Sequence, residues 1–353
     1  MLVQHYYPQS LSPARLDKYL ASGWFRSAPM LYRSQLICLE EEVFSTVNIR
    51  IKLENYEFRK SLRKIITRND KLFRAEIKRF SLNQAKDRLY QQQKHRFKGF
   101  IFDTLQQFFY ANLEDSVFDT YEVAVYDGDA LVAVSFFDCG KNSLASILGL
   151  YDQNYEKYSL GTYTMLLEID YGIRTGRKYY YPGYVLDKPS IFDYKLRLAS
   201  EDMEYYNWKG RWKPMDKFSE ERLLVHELRE KIQEMENALI QYPIPYQRIL
   251  YPLFSIGYLV FFGENFLRCT LFLNCFPEEH AQQHLIIEYL LEEGMYRLSR
   301  ANKCPEYQEF INMRVSPDLS DPNLYCLELL RYERVIYEDN SIEKVIQKAL
   351  ENI

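Results

Sequence analysis

The sequence lacks several features that would assign a chain to a class at once. Its longest apolar run, Ile256 to Phe262, is far shorter than the roughly 20 residues that a helix needs to cross a bilayer, so we expect no membrane span. The six cysteines are spread without a CxxC pair, which is typical of reduced core thiols. The N-terminus has neither the basic start nor the apolar run of a secretory signal, so we expect a cytoplasmic protein.

Standard catalytic motifs are also missing. The chain has no GxSxG, HExxH, Walker or GxGxxG pattern. Only His280 and His284 stand at ligand spacing, four residues apart in a segment that we predict as a helix. Because no cysteine or third ligand lies near them, an ordinary helix surface is the better interpretation. We therefore predict no metal and no cofactor.

The distribution of charge is more informative than its total. The 353 residues predict two or three domains and carry a net charge of −4. Residues 1–98 hold 20 basic against 9 acidic side chains, whereas residues 99–218 hold 12 against 18 and residues 219–353 hold 13 against 22. One basic segment on an otherwise acidic chain is a means of binding a polyanion locally.

Strand and helix patterns in the middle of the chain predict an α+β fold. Apolar runs on both sides of Asp127-Gly128-Asp129 predict a hairpin over residues 121–137. A third strand is predicted over 143–151, then a helix over 159–175 that Gly176 ends, then a strand over 179–185. This order indicates a mixed sheet with a crossover helix on one face.

The flanking regions are predicted from the same periodicities. We expect three regions with boundaries at 1–98, 99–218 and 219–353. Helices are predicted over 57–80 with a break near Asn69-Asp70, over 103–112, 219–241, 280–300 and 341–351, and strands over 49–53, 257–262 and 266–276.

The helix predicted from Glu57 has a basic face. Its cations recur four residues apart, so their charges would lie along one side and could follow a phosphate backbone. A solvated helix face is the competing interpretation. The residues concerned are Arg59, Lys60, Arg63, Lys64 and Arg68.

Two further segments could carry chemistry. Ser159 followed by Gly161 would open a helix whose first backbone N–H groups are accessible to a phosphate, a carboxylate or an oxyanion, although a plain cap with a packing glycine fits equally well. The tyrosines of 179–184, followed by Tyr194, Lys195 and Arg197, would lie where the next strand ends. Their hydroxyls and the lysine could bind a carbonyl or move a proton, and surface tyrosines are the alternative.

Taken together, these residues resemble the aminoacyl-tRNA–protein transferase family of the N-degron pathway, which includes arginyl and leucyl enzymes. The first block reads Gly23-Trp24-Phe25-Arg26-Ser27, Tyr32-Arg33, Ile49-Arg50-Ile51 and Ser61 through Arg68-Asn69. The second block reads Ser159-Leu160-Gly161-Thr162-Tyr163, Tyr180 to Tyr184 and Tyr194-Lys195 to Arg197, with Trp208 near its end. The resemblance covers about residues 20–213.

The resemblance implies an acetyltransferase-like (GNAT) core that takes charged tRNA in place of acetyl-CoA. It implies transfer of an amino acid, arginine by preference and leucine as the alternative, to the α-amine of proteins that begin with Asp or Glu, which marks them for degradation. The expected partners are aminoacyl-tRNA and proteins with acidic N-termini, and the oligomeric state is left open.

The resemblance and the chemistry together select candidate site residues. Aminolysis of an activated ester needs orientation, oxyanion stabilisation and a neutral amine, so no catalytic triad is required. The expected catalytic residues are Ser159, Gly161, Tyr184 and Lys195. The expected substrate-binding residues are Arg26, Arg33, Tyr181, Tyr194 and Arg197. The three arginines, together with Lys195, are candidates for binding the acidic side chain of the protein substrate. The expected tRNA-binding residues are the five cations of the basic helix.

Two departures from the family leave alternatives open. Many members have cysteines after the first Tyr-Arg that are proposed to bind a metal or cluster, but residues 34–42 contain Cys38 alone. Residues 219–353 do not match the bacterial members and are expected to pack on the core, bind a partner or mediate dimerisation. The alternatives are a GNAT-like acyltransferase with another donor and a non-catalytic module that recognises N-termini.

Overall fold

The computed structural model describes residues 1–27, 29–98, 100–110, 115–219, 223–259, 265–277, 282–310, 314–315 and 321–352. The helices are α1 (Pro13–Ala21), α2 (Lys60–Asp70), α3 (Gln84–Gln93), α4 (Leu105–Tyr110), α5 (Leu160–Arg174), α6 (Leu224–Leu239) and α7 (Ile342–Leu350). The strands are β1 (Val3–Tyr6), β2 (Phe25–Ser27), β3 (Met30–Ser34), β4 (Leu36–Leu39), β5 (Glu42–Lys52), β6 (Arg74–Arg79), β7 (Phe100–Ile101), β8 (Thr120–Asp127), β9 (Ala130–Cys139), β10 (Ser143–Tyr151), β11 (Tyr179–Leu186), β12 (Met203–Asn207), β13 (Arg211–Pro214), β14 (Tyr246–Leu250), β15 (Leu271–Cys275), β16 (Gln283–Leu290), β17 (Met295–Lys303), β18 (Arg314–Val315) and β19 (Leu330–Asp339).

The central sheet has the order β13-β12-β5-β11-β10-β9-β8-β6, with β4 paired to β5. The predicted hairpin is β8–β9, and Gly128 at its turn has φ +57°, which a glycine adopts without strain. Strands β10 and β11 are parallel, so α5 crosses one face of the sheet between them, burying Leu160, Leu166 and Ile169. The predicted α+β class and the mixed sheet with a crossover helix are confirmed, and this is the arrangement that the resemblance implies for a GNAT-like core.

Residues 1–98 share this sheet. Strands β5 and β6 belong to it, while α1 packs on the face opposite α5, where Leu16 and Leu31 join Tyr181 in one apolar cluster. The helix predicted up to Phe80 is wrong beyond its break, because Arg74–Arg79 is a strand. This segment pairs with β8 along its whole length, and the backbone hydrogen bonds of that edge outweigh a local pattern that fitted both periods.

The C-terminal region forms an antiparallel sheet of its own, β14-β15-β16-β17-β19, with α6 and α7 packed on it. The helices predicted over 219–241 and 341–351 are confirmed as α6 and α7. The helix predicted over 280–300 is wrong, because β16 and β17 form a hairpin through a turn in which Gly294 has φ +70°. His284 therefore lies on a strand, and His280 lies outside the described residues.

Other predictions for this region hold in part. The strand predicted over 266–276 is formed at Leu271–Cys275. In place of the strand predicted from Gly257, residues Pro252–Tyr258 form a 3-10 turn, and 260–262 lie outside the described residues.

One apolar core joins the C-terminal sheet to the N-terminal region. Leu36, Cys38 and Val43, from β4 and β5, belong to the same buried cluster as α6, α7 and the C-terminal strands. The thiol of Cys38 is fully enclosed there, and burial raises its pKa to about 12. Among the described residues, no group of three or more His, Cys, Asp or Glu side chains is placed to hold a metal ion. None of the helices in the described ranges is long and apolar enough to cross a membrane.

Candidate functional site

A cleft opens in the central sheet where β10 and β11 part. The two strands pair only at Ser143–Ala145 with Tyr179–Tyr181. Beyond that point the register of β10 against β9 shifts between Ser146 and Leu148, and β11 shifts against β5 before Gly183. Irregularities of this kind bend strands, and beyond Ala145 and Tyr181 the two strands do not pair with each other within the described part of the sheet. We call this opening the β10–β11 cleft.

The N-terminus of α5 lies beside the end of β10. Ser159 is the N-cap residue, as predicted, in the left-handed conformation (φ +57°), but its side chain makes no capping hydrogen bond. The first backbone N–H groups of a helix have no intrahelical partners, and here the cap does not satisfy them. A Cβ atom placed on Gly161 would approach only the Tyr151 ring, at 3.6 Å, which is ordinary contact. Packing therefore does not require glycine at this position.

Helix α2 is fastened to this helix end. The Asn69 side chain, fully buried, donates to the Tyr158 carbonyl at 2.9 Å, and the Arg68 guanidinium donates to the same oxygen. The Tyr163 hydroxyl, on the first turn of α5, donates to Asp70 at 2.7 Å. The C-terminal end of α2 thus holds the segment that enters α5, and the basic face of α2 leads directly to the open N–H groups.

The basic face has the expected exposure. Lys60, Arg63, Lys64 and Arg68 lie exposed on one side of α2, together with Lys71 just beyond it. Arg59 precedes the helix and donates to the Arg197 carbonyl, which brings the exposed Arg197 close to the start of α2. Strand β6, which was expected to be helical, follows α2 in the chain, and its Arg74 and Lys78 both form ion pairs with Glu76.

Lys195 lies in the cleft, and no carboxylate of the described residues pairs with it. Its ammonium donates to the Tyr184 carbonyl at 2.9 Å and lies 3.2 Å from the position of a Cβ on Gly183. Rings of Tyr184, Phe192 and Tyr194 surround it at 4.9–5.9 Å. The side chain is 8% exposed, and burial lowers its pKa to about 7. Gly183 has φ +102°, a conformation that favours glycine and that turns β11 toward the lysine.

Tyr184 and Tyr194 belong to the cluster of side chains around Lys195. Burial, together with the neighbouring Tyr194 hydroxyl, raises the pKa of Tyr184 to about 12. Tyr194 is 42% exposed at the cleft mouth. Desolvation of its hydroxyl, followed by the charge of Glu168 and by Tyr151, raises its pKa to about 12. Both hydroxyls are therefore neutral at physiological pH and able to donate hydrogen bonds.

Sequence reasoning missed Glu168. This residue of α5 is fully buried, and the Tyr180 hydroxyl donates to its Oε2 at 2.8 Å. Burial raises the pKa of the carboxyl group to about 7, against the opposing effect of nearby hydroxyls. The available signal was its position: Leu160, Thr164 and Glu168 stand four apart on the inward face of the helix, where an unpaired acid is unusual.

Three predicted substrate-binding residues lie elsewhere. Arg26 is buried with its guanidinium bound to Asp138 at 3.0 Å and to Thr120 at 2.9 Å, so we exclude it from the site because these partners already satisfy it. Arg33 bonds Gln4 and the Ser22 carbonyl on the N-terminal side. Tyr181 lies on the sheet face opposite Glu168, in the cluster beneath α1.

Comparisons with known proteins address the same region. Residues 78–204 match the family described as arginine-tRNA-protein transferase, C terminus. A relative named aspartate/glutamate leucyltransferase from Leptospira interrogans is 23% identical over 218 residues, which cover 60% of this chain and 83% of the relative. A relative of the same name from Campylobacter jejuni is 25% identical over 209 residues, which cover 57% and 84%.

Similar solved structures are more distant. A GCN5-related N-acetyltransferase from Anabaena variabilis shares 11% identity and a TM-score of 0.32, over 80% of this chain and 60% of that one. The C-terminal domain of a putative lysylphosphatidylglycerol synthetase from Agrobacterium fabrum shares 14% identity and a TM-score of 0.32, over 52% and 54%.

Proposed function

We propose that this chain, in which residues 78–204 match the family described as arginine-tRNA-protein transferase, C terminus, transfers an amino acid from aminoacyl-tRNA to the N-terminal α-amine of proteins that begin with Asp or Glu. The observation that carries the proposal is the attachment of α2 to the start of α5. Through Asn69 it places a basic surface next to an open helix end, and therefore next to the cleft.

The tRNA would lie across α2. The exposed cations of this helix face one way and suit the phosphates of a nucleic acid backbone. Arg197, near the start of the helix, would extend this surface. The terminal nucleotide with its aminoacyl ester would then reach Gly161.

The chemistry requires few groups. The α-amine nitrogen attacks the ester carbonyl carbon, the C–N bond forms, and the C–O bond to the ribose breaks, so that the ribose oxygen leaves as a hydroxyl. The N–H groups at the start of α5 would stabilise the oxyanion of the tetrahedral intermediate. Ser159 holds the left-handed turn that exposes them, and the Tyr184 hydroxyl orients the substrate.

Lys195 would recognise the acidic side chain of the protein substrate. A buried ammonium without a counter-charge is costly, and a bound Asp or Glu carboxylate relieves that cost. Gly183 leaves room beside Nζ, and the aromatic rings around it exclude water. Arg197 and Tyr194 at the mouth would contact the following residues of the peptide.

The donor amino acid is the finer part of the proposal. The sequence resemblance favoured arginine, whereas the relatives above are named leucyltransferases. We therefore propose leucine as the donor residue, arginine as the alternative, and degradation as the fate of the modified protein.

Transfer from a total pool of tRNA charged with labelled amino acids tests the proposal. The acceptors are peptides that begin with Asp, Glu, Gln or N-acetyl-Glu and are otherwise identical. Label on the free Asp and Glu peptides alone supports the proposal, and its identity names the donor. No label on any peptide from folded protein and intact aminoacyl-tRNA would contradict it. In that case, binding of the acidic peptides without consumption of tRNA would support a recognition module.

A further inference from the structure

A second basic segment, which follows α3, borders the start of α5. Helix α3 packs with Phe136 in one apolar cluster, whereas α2 and α5 share another cluster with Phe137. Successive residues of a strand point to opposite faces of a sheet, so α3 lies on the face opposite α2 and α5. The 3-10 turn Lys94–Arg96 follows α3 directly and reaches the end of β10 from that face.

Buried contacts hold α3 in this position. The Gln93 side chain, which is buried, accepts a hydrogen bond from the Tyr151 backbone N–H at 3.1 Å. Near the other end of the helix, the Lys86 ammonium pairs with Glu122 of β8 at 2.6 Å, and both side chains are buried. The basic turn is therefore attached to Tyr151, the residue at which β10 ends.

The Tyr151 side chain joins this turn to Gly161. Arg96 Nη1 donates to the Tyr151 hydroxyl at 3.0 Å. The Cδ1 and Cε1 atoms of the same ring lie 3.6 Å from the position of a Cβ atom on Gly161. A single tyrosine ring therefore separates the guanidinium from the first turn of α5. This span is comparable to the one between the acylated ribose hydroxyl of a nucleotide and its own 5′ phosphate.

The Arg96 guanidinium is placed to bind an anion. Its side chain is exposed, and no carboxylate of the described residues pairs with it. The neighbouring Lys98, by contrast, pairs with Glu40 at 3.4 Å. The hydrogen bond to Tyr151 orients the planar guanidinium and uses one of its N–H groups, so that others can bind a phosphate in a bidentate manner.

We propose that Arg96 and Tyr151 form the subsite for the terminal nucleotide of the tRNA. The inference rests on the proposed function and extends it, because α2 alone would hold only the body of the tRNA. With the ester carbonyl at Gly161, the terminal base stacks on the partly exposed Tyr151 ring, and its 5′ phosphate binds Arg96. Aromatic rings bind the bases of single strands in this way, since every base has a π-face.

Binding of tRNA with and without its terminal nucleotide tests this subsite. The two probes are an uncharged tRNA and the same tRNA from which the terminal nucleotide has been removed. We expect the wild-type protein to bind the intact tRNA about 10-fold more tightly than the shortened one. Arg96→Gln and Tyr151→Leu should each weaken binding of the intact tRNA about 5- to 10-fold and leave binding of the shortened tRNA unchanged.

Three further variants make the test specific. Arg334→Gln is the matched control, because Arg334 is exposed on β19 in the C-terminal sheet, and it should not change the affinity for either probe. Lys64→Gln on α2 should weaken binding of both tRNAs equally, since it would contact the body of the tRNA. Tyr151→Phe keeps the ring and loses only the hydroxyl, so its effect should be smaller than that of Tyr151→Leu.

The outcomes separate this subsite from the proposed function. Equal weakening of both probes by Arg96→Gln, or no weakening of either, would overturn the subsite, as would equal wild-type affinity for the two tRNAs. Because Arg96 is exposed, Arg96→Gln should fold normally and decides the question even where Tyr151→Leu does not fold. A wild-type protein that transfers an amino acid without this dependence contradicts the subsite alone. A wild-type protein that binds neither tRNA contradicts the proposed function, and the subsite with it.

Discussion

Lys195 is a residue at which stability and function are opposed. Burial lowers its pKa to about 7 in the folded protein, whereas the unfolded chain keeps it near 10.5. Between these values the unfolded chain binds more protons, so the contribution of Lys195 to the free energy of unfolding rises with pH across that window. Below pH 7 the lysine is charged in both states, and the folded protein bears the full cost of burying it.

We therefore expect Lys195→Met to raise the free energy of unfolding at pH 7 by about 1 to 3 kcal/mol. The gain should shrink as the pH approaches 10, and denaturant unfolding at several pH values measures it. A variant that is less stable than the wild-type protein at pH 7 would contradict this expectation.

The same variant should lose recognition of acidic N-termini. The value of kcat/KM for Asp and Glu peptides is expected to fall about 10- to 100-fold, which corresponds to the loss of one charge-assisted hydrogen bond. In the wild-type protein it should decline above pH 7 as the free lysine becomes neutral. The exposed Lys209→Met serves as the control, and equal losses in both variants would argue against a role in recognition.

A substitution at Gly161 distinguishes the effect of this position on packing from its effect on ligand binding. Because a Cβ atom at this position meets only the Tyr151 ring at 3.6 Å, Gly161→Ala should fold normally and gain up to about 1 kcal/mol from the better helix propensity of alanine. We expect transfer activity to fall nevertheless, since the methyl group stands beside the N–H groups that would hold the oxyanion. Thermal unfolding measures the predicted gain in stability, and single-turnover rates measure the predicted loss of transfer. An unchanged transfer rate would contradict a role of this helix end in binding the oxyanion.

At the scale of elements, α2 should contribute most of the electrostatic affinity for tRNA. Changing Lys60, Arg63 and Lys64 to Gln removes three exposed cations. The slope of log K against log salt concentration should then decrease in magnitude by about 2 to 3, because each phosphate contact releases a counterion. Titration at several salt concentrations measures the slope.

The matched control lies on the two C-terminal helices. The control variant changes Lys231, Lys344 and Lys348 to Gln, which removes the same charge from a region that is acidic overall. The slope should stay at its wild-type value. An equal change in both triple variants would show that net charge alone, and not α2, determines tRNA binding.

The success of prediction at this scale depended on how distinctive the periodicity was. Helices α5 and α6 and the β8–β9 hairpin have a clear period and clear turn residues, and each was predicted correctly. The apolar run that became β16 and β17 fits either period, so pairing with β15 and β19 decided its conformation. Residues Arg74–Arg79 form strand β6 because their backbone pairs with β8.

At the scale of the whole molecule, the C-terminal region is bound to the central sheet. Arg229 of α6 donates to Asp187, which follows β11, at 2.9 Å and to the Val43 carbonyl at 2.9 Å. The Asp187 carboxylate is almost fully buried and also accepts from the Ser45 backbone. The region therefore holds the end of β11, the strand that carries Gly183 and Tyr184.

Arg229→Met is expected to lower the free energy of unfolding by about 1 to 3 kcal/mol, because it leaves a buried carboxylate without its cation. Denaturant unfolding of the full chain measures the loss. The double variant with Asp187→Asn should recover part of it, since the uncompensated charge is then gone. If the single variant is as stable as the wild-type protein, the contact is not a stabilising one.

The sequence by itself determined the α+β class, the basic helix and the resemblance to a family, because periodicity, charge and motif spacing are local properties. Only the tertiary structure decided which cations are free. Arg26 and Lys195 look alike as candidates in the sequence, yet Arg26 pairs with Asp138, whereas Lys195 donates to the Tyr184 carbonyl and pairs with no acid in the part of the chain that the structure describes. Burial likewise raises the pKa of Glu168. A pKa depends on burial and partners, and residues distant in the chain supply both.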